Sequence, residues 1–239
     1  MHVHLPKPLH GWRQFAGEVG IIVLGVLIAL GAQQLAENVQ RRSEASDARQ
    51  AIRNELEVNM ARLASRADQK HCVEHRMDEV QLLLDGAAKN PSIVTPGWVG
   101  RPQYWSMQTV RWEAISQGGR AALLPADELA DYGTLYSWMR NINGVMTTEQ
   151  ADWARLRTLE HMSKLSPEMI FDLNATLQDA RYSNWRIRRW MLQMEPTEAR
   201  LRLRNIRNEL PATRSACIPM VTPRSVALRA QSRVYGDEP

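Results

Sequence analysis

Val19 to Ala32 reads VGIIVLGVLIALGA, fourteen residues without a charge. The apolar character extends from Phe15 to Ala36, 22 residues that include a single charge, Glu18. As a helix rising roughly 1.5 Å per residue, that length reaches about 33 Å, enough to cross the ~30 Å apolar core of a bilayer. Nothing later in the chain resembles it. The stretch predicts one membrane span, with nearly all the mass of the protein on one side.

The flanks give the orientation. Lys7 and Arg13 precede the span, with Trp12 and Phe15 at the expected interface, as on a cytoplasmic flank. Arg41, Arg42 and Arg49 follow it, so the charge rule is nearly balanced. Two cysteines suited to a disulfide and the absence of a cytoplasmic enzyme motif favour an N-terminus inside. The chain then divides into a short cytoplasmic tail (1–14), a transmembrane helix (15–36), an exported helical bundle (37–210) and an extended tail (211–239). The expected location is the bacterial inner membrane, with the domain in the periplasm. A cleaved signal peptide is the competing reading, since Ala29-Leu30-Gly31 offers small residues for cleavage. Glu18, and an apolar face that continues past that cut, argue against it. The rest of the chain is exported either way.

Within the span, positions 18, 22, 25, 29, 32 and 36 share one helical stripe: Glu18, Ile22, Gly25, Ala29, Ala32 and Ala36. Small residues on such a stripe let two membrane helices approach, which makes it a candidate homodimer seam. Glu18 at its end is read as lying at headgroup level.

The 239 residues carry 30 Lys plus Arg against 26 Asp plus Glu, a net charge of +4. Only four of the basic residues are Lys, a bias that suits a GC-rich genome as well as it suits anion recognition. About 200 residues beyond the span suffice for one domain with a core. Cys72 and Cys217 form no CxxC pair. In an exported domain they predict a disulfide tying the tail to the first long helix.

The remaining pattern is helical. Ile52, Leu56, Met60, Leu63 and Ala67 recur at spacings of three and four, and Val73, Met77, Val80 and Leu84 resume the pattern after a phase shift near Lys70. A long amphipathic helix therefore runs straight out of the span, from Glu37 to Asp85. Ala87 to Pro102 is a Pro- and Gly-rich loop. Helices are expected at Tyr104–Gln117, from Pro125 onward with Gly144 and Thr147-Thr148-Glu149 as candidate breaks, from Ser166-Pro167-Glu168 to Pro196, and at Thr197–Leu210. Strand alternation is nearly absent. The fold class is all-α: a transmembrane helix continuing into a stalk, then an antiparallel helical bundle.

Two sets of residues point to a family. One is Gly17-Glu18-Val19, Val23, Gly25 and Leu27-Ile28-Ala29-Leu30, followed by Glu37 and the helix from Ile52 to Leu63. The other is Trp112-Glu113-Ala114, Gly119, Leu123-Leu124, Leu129 and Tyr136. The chain resembles a family of bacterial single-pass membrane proteins of uncharacterised function, whose span reads G-E-[IV]-x-x-x-[IV]-x-G-x-L-I-A-L. It departs from them at Gly31-Ala32-Gln33-Gln34, where the family has an Asn- and Trp-rich juncture. The resemblance implies a membrane-anchored helical domain and brings no activity with it.

Two constellations could carry chemistry. His71-Cys72-Val73-Glu74-His75 matches the H-x-x-E-H zinc-peptidase pattern, but no third ligand stands out downstream. Arg181, Arg186, Arg188 and Arg189, interleaved with Trp185 and Trp190, could form a surface for headgroups or an acidic partner. The bland alternative is a solvated Arg face with the Trp residues packing inward. No phosphate loop, nucleophile elbow, dinucleotide fingerprint or EF-hand is present. The function expected is a non-enzymatic binding or scaffolding module without cofactor. Its partners would be the lipid bilayer, a second copy of the chain and a membrane protein, not nucleic acid. The alternative is a zinc hydrolase using His71, Glu74 and His75.

Overall fold

The computed structural model describes residues 11–204, 206 and 214–235. Among these the α-helices are α1 (Trp12–Ala67), α2 (Lys70–Lys89), α3 (Val110–Gln117), α4 (Ala126–Leu156), α5 (Pro167–Leu201) and α6 (Arg224–Tyr235). No named strand occurs among the described residues; one isolated bridge joins Ser92 to Lys164. The all-α architecture expected from the apolar periodicity is present.

Helix α1 is a single 56-residue rod, about 84 Å long at roughly 1.5 Å per residue. From Phe15 to Ser43 every residue stands exposed, clear of the body. One helix near the N-terminus is thus long and apolar enough to cross a membrane. From Ala45 onward the same helix enters the bundle and buries Ala48, Ile52, Leu56, Met60 and Leu63. The continuous helix expected through Asp85 is interrupted at Asp68-Gln69, next to the phase shift in the sequence. There the Gln69 N–H turns back to the Arg66 carbonyl at 3.3 Å. The Gln69 side chain locks the break by donating to Gln103 Oε1 at 2.7 Å.

Helix α4 runs alongside α1 in the same direction: Glu128 meets Arg49 and Glu149 meets Arg66. Helix α5 returns antiparallel to both, pairing Arg181 with Asp78 on α2 and Arg200 with Asp131 on α4. Gly144 and the Thr cluster do not break α4. Thr147 and Thr148 bond back to the carbonyls of Asn143 and Gly144, so their hydroxyls do not compete with the helix. Ser166 caps α5 by accepting from the Met169 N–H, with Pro167 in the first turn.

The expectation that Pro196 ends this helix is corrected: α5 continues to Leu201. Pro196 is exposed, so the carbonyl it leaves unpaired one turn earlier can be solvated. The helix stops at Arg202, in the left-handed region at φ 49°. Arg53 satisfies the end by donating to the carbonyls of Leu201 and Arg202 at 2.6 and 2.8 Å. The separate helix expected at Thr197–Leu210 is therefore α5's own last turn; residues 205 and 207–213 lie outside the described residues.

A parallel α1–α4 pair needs a connection that travels back along the bundle, and Pro91 to Thr109 supplies it as an extended strap. Helix α3 begins only at Val110, not at Tyr104 as expected, because the segment before it belongs to this strap. Apart from the bridge near Ser92 and a bond from Trp98 to the tail, its backbone is met largely by side chains from the helices. Asn59 pairs with both backbone groups of Gln108 at 2.7 and 2.8 Å. Asn143 does the same for Met107 at 3.0 and 2.7 Å. Glu160 accepts from the Val99 N–H, and Arg76 donates to the carbonyls of Trp98 and Val99. Glu55 then caps α3 by accepting from the N–H groups of Arg111 and Trp112.

The tail is not extended throughout, as expected, but folds back over the strap through a turn at Ser215–Cys217 and through α6. The Trp98 N–H donates to the Met220 carbonyl and its ring nitrogen to the Ser215 carbonyl, both at 3.0 Å. Contact is so close at Gly97 that a Cβ would lie 2.3 Å from the Thr222 carbonyl oxygen. Gly97→Ala is expected to lower stability by about 1–3 kcal/mol. Gly144→Ala has no neighbour within 4 Å and should raise it by roughly 0.5–1 kcal/mol. Thermal unfolding of the two variants beside the parent checks the opposite signs.

Candidate functional site

The body contains two apolar cores stacked along its length. Nearer the exposed apolar end of α1, α1, α3, α4 and the end of α5 bury Ile52, Leu56, Ile115, Leu135, Tyr136, Met139 and Met194. Farther out, α2, α4 and the start of α5 bury Val80, Leu84, Trp153, Leu156, Leu165 and Leu177. A polar layer separates them at the α1–α2 break. Arg66, 3% exposed, donates to Glu149, fully buried, at 2.7 Å, and to Asn184 at 2.9 Å. Burial pushes the Glu149 carboxyl above the usual range, against the pull of Arg66. Asp152, one turn farther, is pushed up by burial and by the carboxylate of Asp179.

The residues singled out in the sequence fall as follows. Cys72 and Cys217 form the expected disulfide, S–S 2.09 Å. Glu18, Gly25, Ala29, Ala32 and Ala36 all stand exposed on one face of α1. Eighteen residues make five turns, so that face continues as Ser43, Asp47, Gln50 and Asn54, all exposed, away from the side that buries Ala48 and Ile52. The small-residue stripe thus points away from the bundle.

The four arginines do not form one patch. Arg181 pairs with Asp78 at 2.8 Å and Arg188 with Glu74, both across to α2. Arg186 lies over the rings of Trp190 and Tyr182, at 4.6 and 5.6 Å. Arg189 alone of the four is exposed rather than half-buried. Trp190 does pack inward, against Trp138 at 5.9 Å. Trp185 does not: it is 58% exposed and stacks on Tyr182 at 5.8 Å. With Phe171 and Leu192, also exposed, these rings make an outward aromatic row on α5. The spacing 171, 178, 182, 185, 189, 192 was visible in the sequence, but not that this face lacks a covering element.

The H-x-x-E-H residues lie on α2 with His71 and His75 exposed and Glu74 held by Arg188. His75 approaches Glu79 at 3.6 Å. Among the described residues no group of three His, Cys, Asp or Glu side chains is placed to hold a metal ion. Trp112 and Tyr136, from the second family-like block, stack at 5.1 Å, and the Tyr136 hydroxyl donates to Glu55 at 2.7 Å. That cluster supports the start of α3.

Sequence reasoning missed a groove beside the break. Ala67, Lys70, Ile187, Arg188, Met191, Leu192 and Glu195 line its outer part, beside Arg66. It continues between α1 and α5 over Met60, Leu63, Ala64 and Met194. Comparison with protein-family models, with curated proteins and with solved structures finds no match for this chain.

Glu149→Leu leaves Arg66 buried without its counter-charge and should cost about 3–5 kcal/mol, whereas Arg66→Met with Glu149→Leu should come close to the parent. Urea unfolding of the singles and the double decides this. For Asp152 the folded carboxyl is raised. Its contribution is therefore fully present below the unfolded carboxylate pKa and is lost as pH rises through the folded one. Asp152→Asn should raise the melting temperature at pH 7.5 and leave it nearly unchanged at pH 3.5, as followed by circular dichroism.

Proposed function

We propose that this is a single-pass bacterial inner-membrane protein with its N-terminus in the cytoplasm. Its periplasmic helical body serves as a non-enzymatic binding or scaffolding module. It belongs with the single-pass family whose span motif it resembles. One observation carries the reading: a wholly exposed apolar helix is continuous with a body stapled by a disulfide. An apolar rod of that length has no place in water, and a disulfide persists outside the reducing cytoplasm. The outward row of Phe171, Tyr182, Trp185 and Leu192 has the aromatic composition of interface anchors and supports a membrane-protein partner or a second copy. The stripe Gly25, Ala29, Ala32 and Ala36, turned away from the bundle, supports pairing of spans.

Membranes in which thiols are blocked before lysis test the location. Peptide mapping by mass spectrometry should recover Cys72 cross-linked to Cys217. Two blocked free thiols would put the body in the cytoplasm and overturn the reading. Cys217→Ser should lower stability by about 3–5 kcal/mol through the freed loop of 145 residues, as measured by denaturant unfolding.

A further inference from the structure

Helix α5 has two apolar faces. Leu173, Leu177, Ala180, Ile187 and Met194 serve the cores. On the opposite side Phe171, Gln178, Trp185 and Leu192 recur every seven residues, with Ala175, Tyr182 and Arg189 between them at the same interval. All seven stand exposed. Their steps alternate four and three, the repeat of about 3.5 residues that one helix offers to another along a shared seam. From Phe171 to Leu192 the seam runs 22 residues, about 33 Å. Its charge is uneven. Arg181 and Arg188, on one border, are taken up by Asp78 and Glu74 of α2. Arg189, within the seam, has neither ion pair nor hydrogen bond among the described residues. Arg186, on the other border, lies over the rings of Trp190 and Tyr182 at 4.6 and 5.6 Å and has no carboxylate partner among the described residues. The nearest acids along α5 are Asp179, seven residues before Arg186, and Glu195, six after Arg189, roughly 9–11 Å away along the axis.

We propose that this seam docks an α-helix of a different protein. That helix is apolar at steps of three and four and carries Asp or Glu where it passes Arg186 and Arg189. Tyr182 and Trp185, stacked at 5.8 Å, are the anchors, because aromatic rings and arginines dominate such contacts. Arg189 is the polar seam position that fixes register and partner. Facing a carboxylate it is answered; facing an apolar residue it becomes a buried, unpaired charge. A second copy is a poor occupant. Two copies related by a two-fold axis in one membrane run α5 in the same direction, so Arg189 would meet Arg189. An antiparallel pair would point the two apolar rods in opposite directions. This inference rests on reading the body as a membrane-anchored binding module. The side of the membrane is read separately from the thiols, so a failure here leaves the disulfide result standing.

The test is photo-cross-linking in the native cells, with benzoylphenylalanine in place of Gln178 in the full chain. That position lies in the seam and leaves Tyr182, Trp185, Arg186 and Arg189 intact. One discrete adduct is expected. Mass spectrometry of its cross-linked peptide should give a segment of another protein with apolar residues at steps of three and four and an acid within two turns of the cross-link. Arg189→Glu should lower the yield of that adduct about tenfold or more, the scale of a charge contact turned into a repulsion. Reversing the facing acid of the partner to Arg should restore it. Arg189 is exposed and unpaired, so its reversal should leave the melting temperature unchanged, and Arg189→Ala is the milder companion. The same label in place of Ser137, on the exposed face of α4, should not give the adduct. The proposal is overturned by an adduct of the chain with itself, by an adduct with lipid, or by a partner segment without the repeat or without the acid. Indifference to both Arg189 variants, the same adduct from Ser137, or no adduct at all would overturn it equally.

Discussion

An extended backbone laid through a helical body brings donors and acceptors that no helix satisfies. Every unpaired buried group costs about as much as a lost hydrogen bond, so the helices must answer the strap at fixed heights. Asn59 on α1, Gln69 at the break and Arg76 on α2 do so, joined by Asn143 on α4 and Glu160 beyond it. These are polar residues on faces that periodicity assigns to the core. Their positions set the register of the strap, and the strap in turn makes α1 and α4 run in the same direction. The tail depends on the same arrangement, because Arg76 and Trp98 hold it in place beside the disulfide.

The division into two cores follows. The α1–α2 break falls where Gln69 turns to meet Gln103 of the strap, and the apolar stripe changes phase there. The layer left between the cores holds a charge pair and an amide, an arrangement that favours one register over slipped alternatives more than it adds stability. The groove opens where α5 crosses this break, so it and the polar layer share Arg66.

Much of the fold was legible because helical periodicity is a local signal. The long exposed apolar helix, its continuation into the body as far as Ala67, the start of α5 at Ser166 and the Cys72–Cys217 pair all followed from residue type and spacing. The errors occurred where long-range contacts outweighed local preference. Tyr104 to Thr109 looks helical, but Asn59 and Asn143, far away in sequence, hold part of it extended. Pro196 looks like a stop, yet it lies on the solvent side, where its missing donor matters little. Nothing in the spacing of Glu55 and Glu160 tells that one caps α3 and the other holds the strap at Val99. The candidate site was the least legible part. The four arginines are adjacent in sequence, but their partners Asp78, Glu74 and Trp190 distribute them around α5. The groove is built from helices more than a hundred residues apart.

The continuity of α1 also sets a clearance. Beyond Ala36 only the turns to Glu44 separate the apolar rod from the first partly buried side chains, a gap of about 12 Å, against a helix diameter of about 10–12 Å. With the rod in a bilayer, headgroups fill roughly 5–7 Å of that gap, and the space left under the body is thinner than a helix. Headgroup charges then lie within one screening length of the body, about 8 Å at physiological salt, so the underside senses the composition of the leaflet. A neighbouring membrane protein of any bulk must approach from the flank, where α5 presents its rings.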